Sequence, residues 1–258
     1  MMGRLKTSSR GIPLLVIMST LWILTFSMQC TEMPDIPPRF AYPGYRADLF
    51  FVEDFGADLT EWAVEGRGET MITPDSQLTV SVTDEEHGMV LWIRRDAPET
   101  FQLEYEVEIP ETPGLNTVMI CAHGVQEKDI LKTSSQRTGK FSEYSQGDVR
   151  SYQISYHCYS PNGGHDPGSK IRKNPGHVLL SRIIPDPCIE NRRYLIDVLK
   201  IGNRILFFVD GNPVHDIRDR GGFGPTYRSG KIGFWIHGAV GKFKTIFDNI
   251  KVYRLIPE

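Results

Sequence analysis

The sequence predicts an all-β protein, a sandwich or jelly roll of two antiparallel sheets. Almost every long segment after residue 48 alternates apolar and polar residues, with the period of two that a half-buried strand requires. Clusters of Gly, Pro, Asp and Asn separate these segments, and no helical pattern of comparable strength lies between them. Residues 48–258 have the length of one large all-β domain, so we expect a single sandwich.

The predicted strands follow one another in chain order. They are QLTVSV, MVLWIRR, FQLEYEVEI, TVMICAH, SYQISYHCY, RYLIDVLKI, RILFFVDG, GKIGFWIHG and IFDNIKVYRL. The segments KIGNRI and VDGNPV predict hairpin turns, because glycine adopts the positive φ that such turns need. Residues 124–150 and 160–176 predict long loops, which on a compact sandwich are usually functional or disordered.

The chain begins with a pattern typical of secretory signals. Three basic residues precede an uncharged apolar run from residue 12 to residue 28. Cys30 follows this run directly, where bacterial lipoproteins are cleaved and acylated, and it is the predicted lipidation site. Cleavage nearby without a lipid, or retention as an uncleaved anchor, remains an alternative. Residues 1–30 are therefore assigned to a signal peptide, residues 31–47 to a proline-rich linker and residues 48–258 to the folded domain.

The predicted signal peptide and the net charge of the chain indicate where the protein works and which partners it can bind. We expect an exported protein, in the periplasm or on the outer cell surface, that meets a membrane only through its lipid anchor. The formal net charge of −3 excludes a basic nucleic-acid-binding protein, because such a protein needs a strong cationic field. We expect a monomer.

Three cysteines follow the signal, and an odd number allows at most one disulfide among them. Cys158 and Cys188 flank the predicted loop of residues 160–176, and a disulfide between them would close it. Cys121 and Cys158 lie in predicted strands and are more simply explained as buried thiols, so we do not expect a disulfide. The chain has no CxxC pair, so we expect no structural zinc site.

Alternation also places a set of aromatic and ionisable side chains on the face away from the predicted core. If these strands share one sheet, the set forms an open concave surface suited to binding. Its members are Trp92, Arg94, His123, Gln153, His157, Tyr159, Trp235 and His237.

Two groups of segments carry a resemblance to known families. DLFFVEDFGADLTEWAVEG, GMVLW and TIFDNIKVYRL resemble the concanavalin A-like lectin/glucanase superfamily. RTGKFSEY, YQISYH and IRKNPGHVLLS resemble more narrowly the YesU-like domain-of-unknown-function family, although this chain inserts PNGGHDPGSK before the last segment. The resemblance implies a concanavalin A-like or galectin-like jelly roll of two antiparallel sheets. It also implies a carbohydrate context, since such proteins occur in bacterial gene clusters for degrading polysaccharides, notably rhamnogalacturonan.

The outward set supplies groups that a saccharide site needs. Aromatic faces stack on sugar rings, and planar amides bind hydroxyls, which suits Trp92, Trp235, Tyr159, Gln153 and Asn174. An acidic sugar also needs a cation, for which Arg94, Arg172 and Lys173 are candidates, and His123 and His237 complete the predicted substrate-binding set. The alternatives are that the tryptophans cap the core and that Arg172 and Lys173 form a solvated loop tip.

Two function classes follow from this surface. A lyase-type enzyme would eliminate across a uronate, with His157 as the base and Tyr159 as the acid. A non-catalytic glycan-binding surface lipoprotein would use the same face without proton transfer, and His157 would then have no catalytic role. Hydrolysis is disfavoured, because Glu104, Glu106 and Glu108 predict a solvated acidic strand face and not a paired catalytic site.

We expect no cofactor and no catalytic metal. His165 and Asp166 in GGHDPG lack the spacing of a metal site and predict a plain turn, with a structural calcium ion as the alternative. His87 and His215 predict turn or surface residues.

Overall fold

The computed structural model describes residues 36–109, 113–160, 162–188 and 191–258. Cys30 and the rest of the predicted signal lie outside these residues. Within them the chain forms fifteen strands, which confirms the all-β class. The strands are β1 Tyr45–Glu53, β2 Trp62–Gly66, β3 Glu69–Ile72, β4 Leu78–Val82, β5 Met89–Ile93, β6 Phe101–Glu108, β7 Gly114–His123, β8 Arg150–Cys158, β9 Ser169–Asn174, β10 Val178–Ile183, β11 Arg193–Ile201, β12 Arg204–Val209, β13 Asn212–Arg218, β14 Lys231–Gly238 and β15 Phe243–Pro257.

The strands form two antiparallel sheets. The eight-stranded sheet has the order β13-β12-β11-β6-β15-β4-β3, with β1 also paired to β15. The seven-stranded sheet has the order β10-β9-β8-β7-β14-β5-β2. Their facing sides bury one large apolar core, in which the Tyr105 ring meets Phe234 edge-on at 5.0 Å and its hydroxyl bonds to that of Tyr156. Burying each such side chain contributes about 1.5–3 kcal/mol. The predicted jelly-roll sandwich is thus confirmed.

A second apolar layer lies on the outward face of the seven-stranded sheet. Residues 125–149, here called the cover segment, contain two short 3₁₀ turns, Val125–Glu127 and Ile130–Gln136, and the helix α1, Phe141–Ser145. The segment packs on this face through Ile130, Phe141, Tyr144 and Val149. Trp92 and Trp235 lie beneath it and are 0 % and 2 % exposed. Strand alternation predicted the outward direction of both side chains, but the predicted open concave surface is wrong at these positions, because the alternation carries no information about what covers the face.

Two bulges interrupt the alternation of the central strands. Leu115 pairs with Cys158 and Asn116 with Tyr156, so His157 is an extra residue in β8, with φ of +50°. Cys121 has φ of +53° at a corresponding irregularity in β7 and turns inward to the core. The predicted continuous period of two in both strands is therefore wrong at these residues.

The N-terminal part of the described chain packs on the outer side of the eight-stranded sheet. Phe40 and Tyr42 contact this sheet, and Arg39 lies beside Glu104 and Asp197. Glu104 is 0 % exposed, which contradicts the predicted solvated face of β6 at this position. Burial and the neighbouring Asp197 raise the pKa of Glu104 to about 7.

All three cysteines of the described residues are buried free thiols. Burial raises the pKa of both Cys121 and Cys158 to about 12, so neither thiol is a reactive nucleophile near neutral pH. Among the residues that the structure describes, no helix is long and apolar enough to cross a membrane.

Candidate functional site

The amide and tryptophan side chains predicted to bind sugar are buried within the protein. Asn174 is 0 % exposed, and its Nδ2 donates to Gln153 Oε1 at 3.0 Å and to Ser151 Oγ at 3.3 Å. Gln153 is also buried. With Trp92 and Trp235 covered, none of these four side chains offers an exposed surface to a saccharide, so the predicted exposure of the set is wrong.

The predicted acid and base do lie side by side. The rings of His157 and Tyr159 are 5.1 Å apart. However, His157 is 1 % exposed, its ring stacks on Phe243 of the core, and its backbone N–H donates to Asp186 Oδ1. The expectation that His157 faces outward is wrong, and the assignment of this pair as catalytic stays a prediction.

The predicted cations have different surroundings. Arg94 is exposed and its Nε donates to the Thr60 carbonyl. Arg172 is half-buried on β9, and burial is the main reason that its pKa is lowered. Lys173 lies in the same strand, is 1 % exposed, and forms an ion pair of 2.7 Å with Asp219. The predicted solvated loop tip is therefore wrong for both residues.

Three further histidines are also held by protein contacts. His237 is half-buried and stacks on Trp235 at 5.1 Å, and burial lowers its pKa. His215 lies in β13 and is 2 % exposed, which contradicts the predicted turn or surface position. His87 lies in the turn between β4 and β5, as predicted, although it is only 5 % exposed. The His215 ring lies between the hydroxyls of Ser181 and Ser169.

The Asp166 carboxylate in the GGHDPG segment forms ion pairs with basic side chains of the protein. It contacts Lys170 at 2.5 Å and Arg182 at 2.9 Å, so it is poorly placed to hold a metal ion. Among residues 36–109, 113–160, 162–188 and 191–258, no group of three or more His, Cys, Asp or Glu side chains is arranged to hold a metal.

A cavity of about 700 Å³ lies at one end of the seven-stranded sheet. We call it the end cavity. It is bounded by the end of β7, the starts of β8 and β14, and the loops next to them. Its lining includes Asp96, Glu99, Ala122, His123, Gln126, Lys128, Asp129, Arg150, Thr226, Tyr227, Arg228, Ser229 and Lys231. Its volume falls in the range of about 300–1,000 Å³ that small-ligand sites occupy.

The charges of this cavity are unequally paired. Lys231 contacts Asp96 at 2.8 Å, and Arg228 contacts Glu99 at 3.0 Å. Arg150, in contrast, has no carboxylate within 4.0 Å among the described residues, and its buried Nε has no hydrogen-bond acceptor there. It shares a hydrogen bond with the Tyr227 side chain. A half-buried guanidinium without a counter-charge is costly unless an anion joins it.

His123 is the predicted site residue that lines this cavity, and it stands opposite Arg150 in the β7–β8 register. Its Nδ1 lies 2.9 Å from the Cys121 carbonyl oxygen. A carbonyl can only accept, so Nδ1 carries the proton and Nε2 of the neutral ring keeps a lone pair. The ring meets Tyr227 edge-on at 5.0 Å, and burial raises the pKa of Tyr227.

Sequence reasoning missed Arg150, Tyr227, Arg228 and Lys231. Three of them lie in PTYRSGK, residues 225–231, where an aromatic residue and two cations stand in a Gly/Pro-punctuated loop before a strand. That composition is the signal that could have identified the loop as a site wall. Arg150 has no comparable local signal.

Comparisons with known proteins agree with this architecture. The sequence matches the family described as Domain of unknown function (DUF1961) over residues 50–251. It is 26 % identical over 207 residues to the uncharacterized protein YesU of Bacillus subtilis (strain 168), covering 78 % of this chain and 92 % of YesU. A Bacillus subtilis protein of unknown function with a galectin-like fold superposes with a TM-score of 0.72 at 22 % identity, covering 83 % of this chain and all of that one.

Two similar structures are glucanases. The endo-β-1,3-glucanase from Pyrococcus furiosus has a TM-score of 0.60 at 13 % identity, covering 86 % of this chain and 100 % of that one. The Bacillus licheniformis β-glucanase has a TM-score of 0.55 at 11 % identity, covering 79 % and 97 %. At these identities the likeness concerns the fold alone, and it confirms the two-sheet sandwich. The family match over residues 50–251 establishes that the chain belongs to the YesU-like DUF1961 family.

Proposed function

We propose that this protein binds an acidic, pectin-like saccharide in the end cavity, with a sugar carboxylate beside Arg150. The observation that carries the proposal is the guanidinium of Arg150, which has no carboxylate partner among the described residues while the neighbouring Lys231 and Arg228 do. A carboxylate accepts two parallel hydrogen bonds from a guanidinium, and such pairs are stronger than neutral hydrogen bonds.

The choice of a saccharide over other anions rests on the rest of the lining and on the fold. Gln126, Thr226 and Ser229 line the same cavity and can donate to or accept from sugar hydroxyls. Structures named as glucanases share the sandwich, and the family resemblance implies a polysaccharide context. These points support a saccharide as the ligand, and the guanidinium of Arg150, without a carboxylate partner among the described residues, supports a negative charge on it.

The proposal includes the cellular location. We propose that the mature protein is exported and held at the cell surface by a lipid on Cys30. This part rests on the basic start and the apolar run before Cys30 in the sequence. In this form the protein is a glycan-binding surface lipoprotein without catalytic activity.

A lyase is the second candidate, and His123 favours it. Its Nδ1 faces the Cys121 carbonyl, which leaves Nε2 as the nitrogen available to act as a base. Arg150 stands opposite in register, where it could neutralise the uronate carboxylate. His123 would take the proton from the carbon next to the carboxylate. The carbon–oxygen bond one position further would break, a carbon–carbon double bond would form, and the leaving oxygen would take a proton from water.

The binding proposal is tested by titrating oligogalacturonides and neutral glucan oligosaccharides of equal length into the protein by calorimetry. We expect binding of the acidic series alone, weakened in Arg150→Gln by about ten- to a hundredfold, because a charge-assisted hydrogen bond contributes about 1.5–3 kcal/mol. Arg46→Gln, at an exposed ion pair with Asp48, is the control and should bind normally. A larger loss in Arg172→Gln than in Arg150→Gln would move the site to β9 and refute the cavity assignment.

The lyase candidate has a separate readout, the ultraviolet absorbance of the unsaturated uronate product. His123→Asn keeps a donor for the Cys121 carbonyl but has no basic nitrogen. Product formed by the wild type and lost in His123→Asn supports elimination. If the wild type binds oligogalacturonides but forms no unsaturated product, the lyase candidate is refuted.

A further inference from the structure

We infer that the end cavity receives a chain end or a short oligosaccharide and not an internal stretch of a long polysaccharide. This inference rests on the proposed saccharide binding. It follows from the way in which the cover segment packs over the middle of the outward face of the seven-stranded sheet.

The middle of that sheet face is occupied by protein. Phe141 packs 5.2 Å from Trp235, and Tyr144 lies 6.4 Å from Trp92 and 6.5 Å from Trp235, measured between ring centres. Together with Ile130 and Val149, these side chains form the apolar layer that covers β5, β7 and β14. A polysaccharide that crossed the strands in the middle of the face would have to displace this layer.

The cover segment is also fastened to the sheet. Arg137 donates to both carboxylate oxygens of Glu65 in β2, at 2.6 and 2.8 Å, and Tyr144 donates to the same carboxylate at 3.0 Å. Arg137 and Glu65 are 7 % and 4 % exposed. Because breaking a buried pair of this kind is strongly unfavourable, the cover segment is a fixed wall and not a lid that a polymer could lift.

This wall begins at the cavity itself. Ala122 lines the cavity and also belongs to the apolar layer under the cover segment. Asp129 lines the cavity and accepts from the backbone N–H of Leu131 where the second 3₁₀ turn starts. A saccharide in the cavity therefore meets the cover segment on the side of the sheet, and the chain cannot continue in that direction.

The test compares saccharides that differ in the number of chain ends but not in composition. Polygalacturonate of high molecular mass, the same material after partial acid fragmentation, and purified short oligogalacturonides are titrated calorimetrically at equal mass. We expect the number of binding sites per gram to rise in proportion to the number of ends, so that doubling the ends doubles the sites. Arg150→Gln should weaken this end-dependent binding in all three materials.

Two outcomes overturn the inference, and they differ in whether the proposed function also fails. If intact and fragmented polymer offer the same number of sites per gram, internal residues are bound, and the inference fails while the proposed function stands. If neither the polymers nor the oligogalacturonides bind, the proposed function fails as well. Binding of the short oligosaccharides with a site count that follows the ends supports both.

Discussion

Replacing Arg137 with methionine should loosen the cover segment from the seven-stranded sheet. The substitution keeps a long apolar side chain but leaves the buried carboxylate of Glu65 without its cation. It also removes the bonds from Arg137 to the Ile130 carbonyl at 2.6 Å and to Thr133 Oγ1 at 2.9 Å. Breaking a buried ion pair by removing one partner costs about 3–5 kcal/mol. For a domain of this size we therefore expect the melting temperature to fall by about 6–20 °C.

The assay is urea unfolding followed in parallel by tryptophan fluorescence and far-ultraviolet circular dichroism. Trp92 and Trp235 lie under the cover segment, so their emission reports its detachment, whereas the dichroism reports the strands. In Arg137→Met the fluorescence transition should come at lower urea than in the wild type. It should also precede the dichroism transition if the segment detaches first.

The matched control is Arg95→Met. Arg95 forms a 3.0 Å pair with Glu61, but both side chains are close to half exposed. Surface pairs contribute about 0–1 kcal/mol, so this variant should unfold like the wild type. A loss of stability in Arg137→Met no larger than that of the control would refute the reasoning, and with it the description of the cover segment as a fixed wall.

Two further predictions concern the sheets themselves. The pKa of Glu104 is raised to about 7 beside Asp197, so its contribution to stability is present below the unfolded pKa of 4.5 and is lost as the pH rises through 7. Glu104→Gln should then match the wild type in urea unfolding at pH 5 and exceed it at pH 8, and an unchanged pH dependence would contradict this. Gly233→Ala should lower the melting temperature, because its Cβ would lie 2.3 Å from the Trp92 ring and overpacking costs about 1–3 kcal/mol. Gly222→Ala, with nothing within 4 Å, should not, and equal melting temperatures for the two variants would exclude the packing argument.

The sequence predicted most of the long strands, though not β1, and it predicted the short polar strands poorly. In GKIGFWIHG the alternating Ile232, Phe234 and Ile236 do face the core, as the period of two requires. The segment SKIRKN was predicted as a loop but forms β9. Its Lys173 is buried because Asp219, 46 residues further along the chain, neutralises it. A local pattern shows only the polarity of Lys173, not its distant partner.

The candidate site was predicted in part for the same reason. His123 ends an alternating strand, and alternation placed it outward. The bulge at Cys121 precedes it and could not be foreseen, since a positive φ at a non-glycine residue leaves no mark on the hydrophobic pattern. Arg150 and Tyr227 meet His123 through strand pairing and a loop more than 100 residues away, so their convergence is a property of the folded chain alone.

The pairing of charges in the end cavity also separates its candidate functions. Glycoside hydrolysis needs two carboxyl groups at the scissile bond, one of them able to donate a proton. Asp96 and Glu99 each hold a cation of the protein, and Asp129 accepts from the backbone at the start of the cover segment. Arg150 is different, since no carboxylate of the described chain balances it. The cavity is thus better suited to receiving an anion than to supplying two acids, which favours binding or elimination of an acidic sugar over hydrolysis.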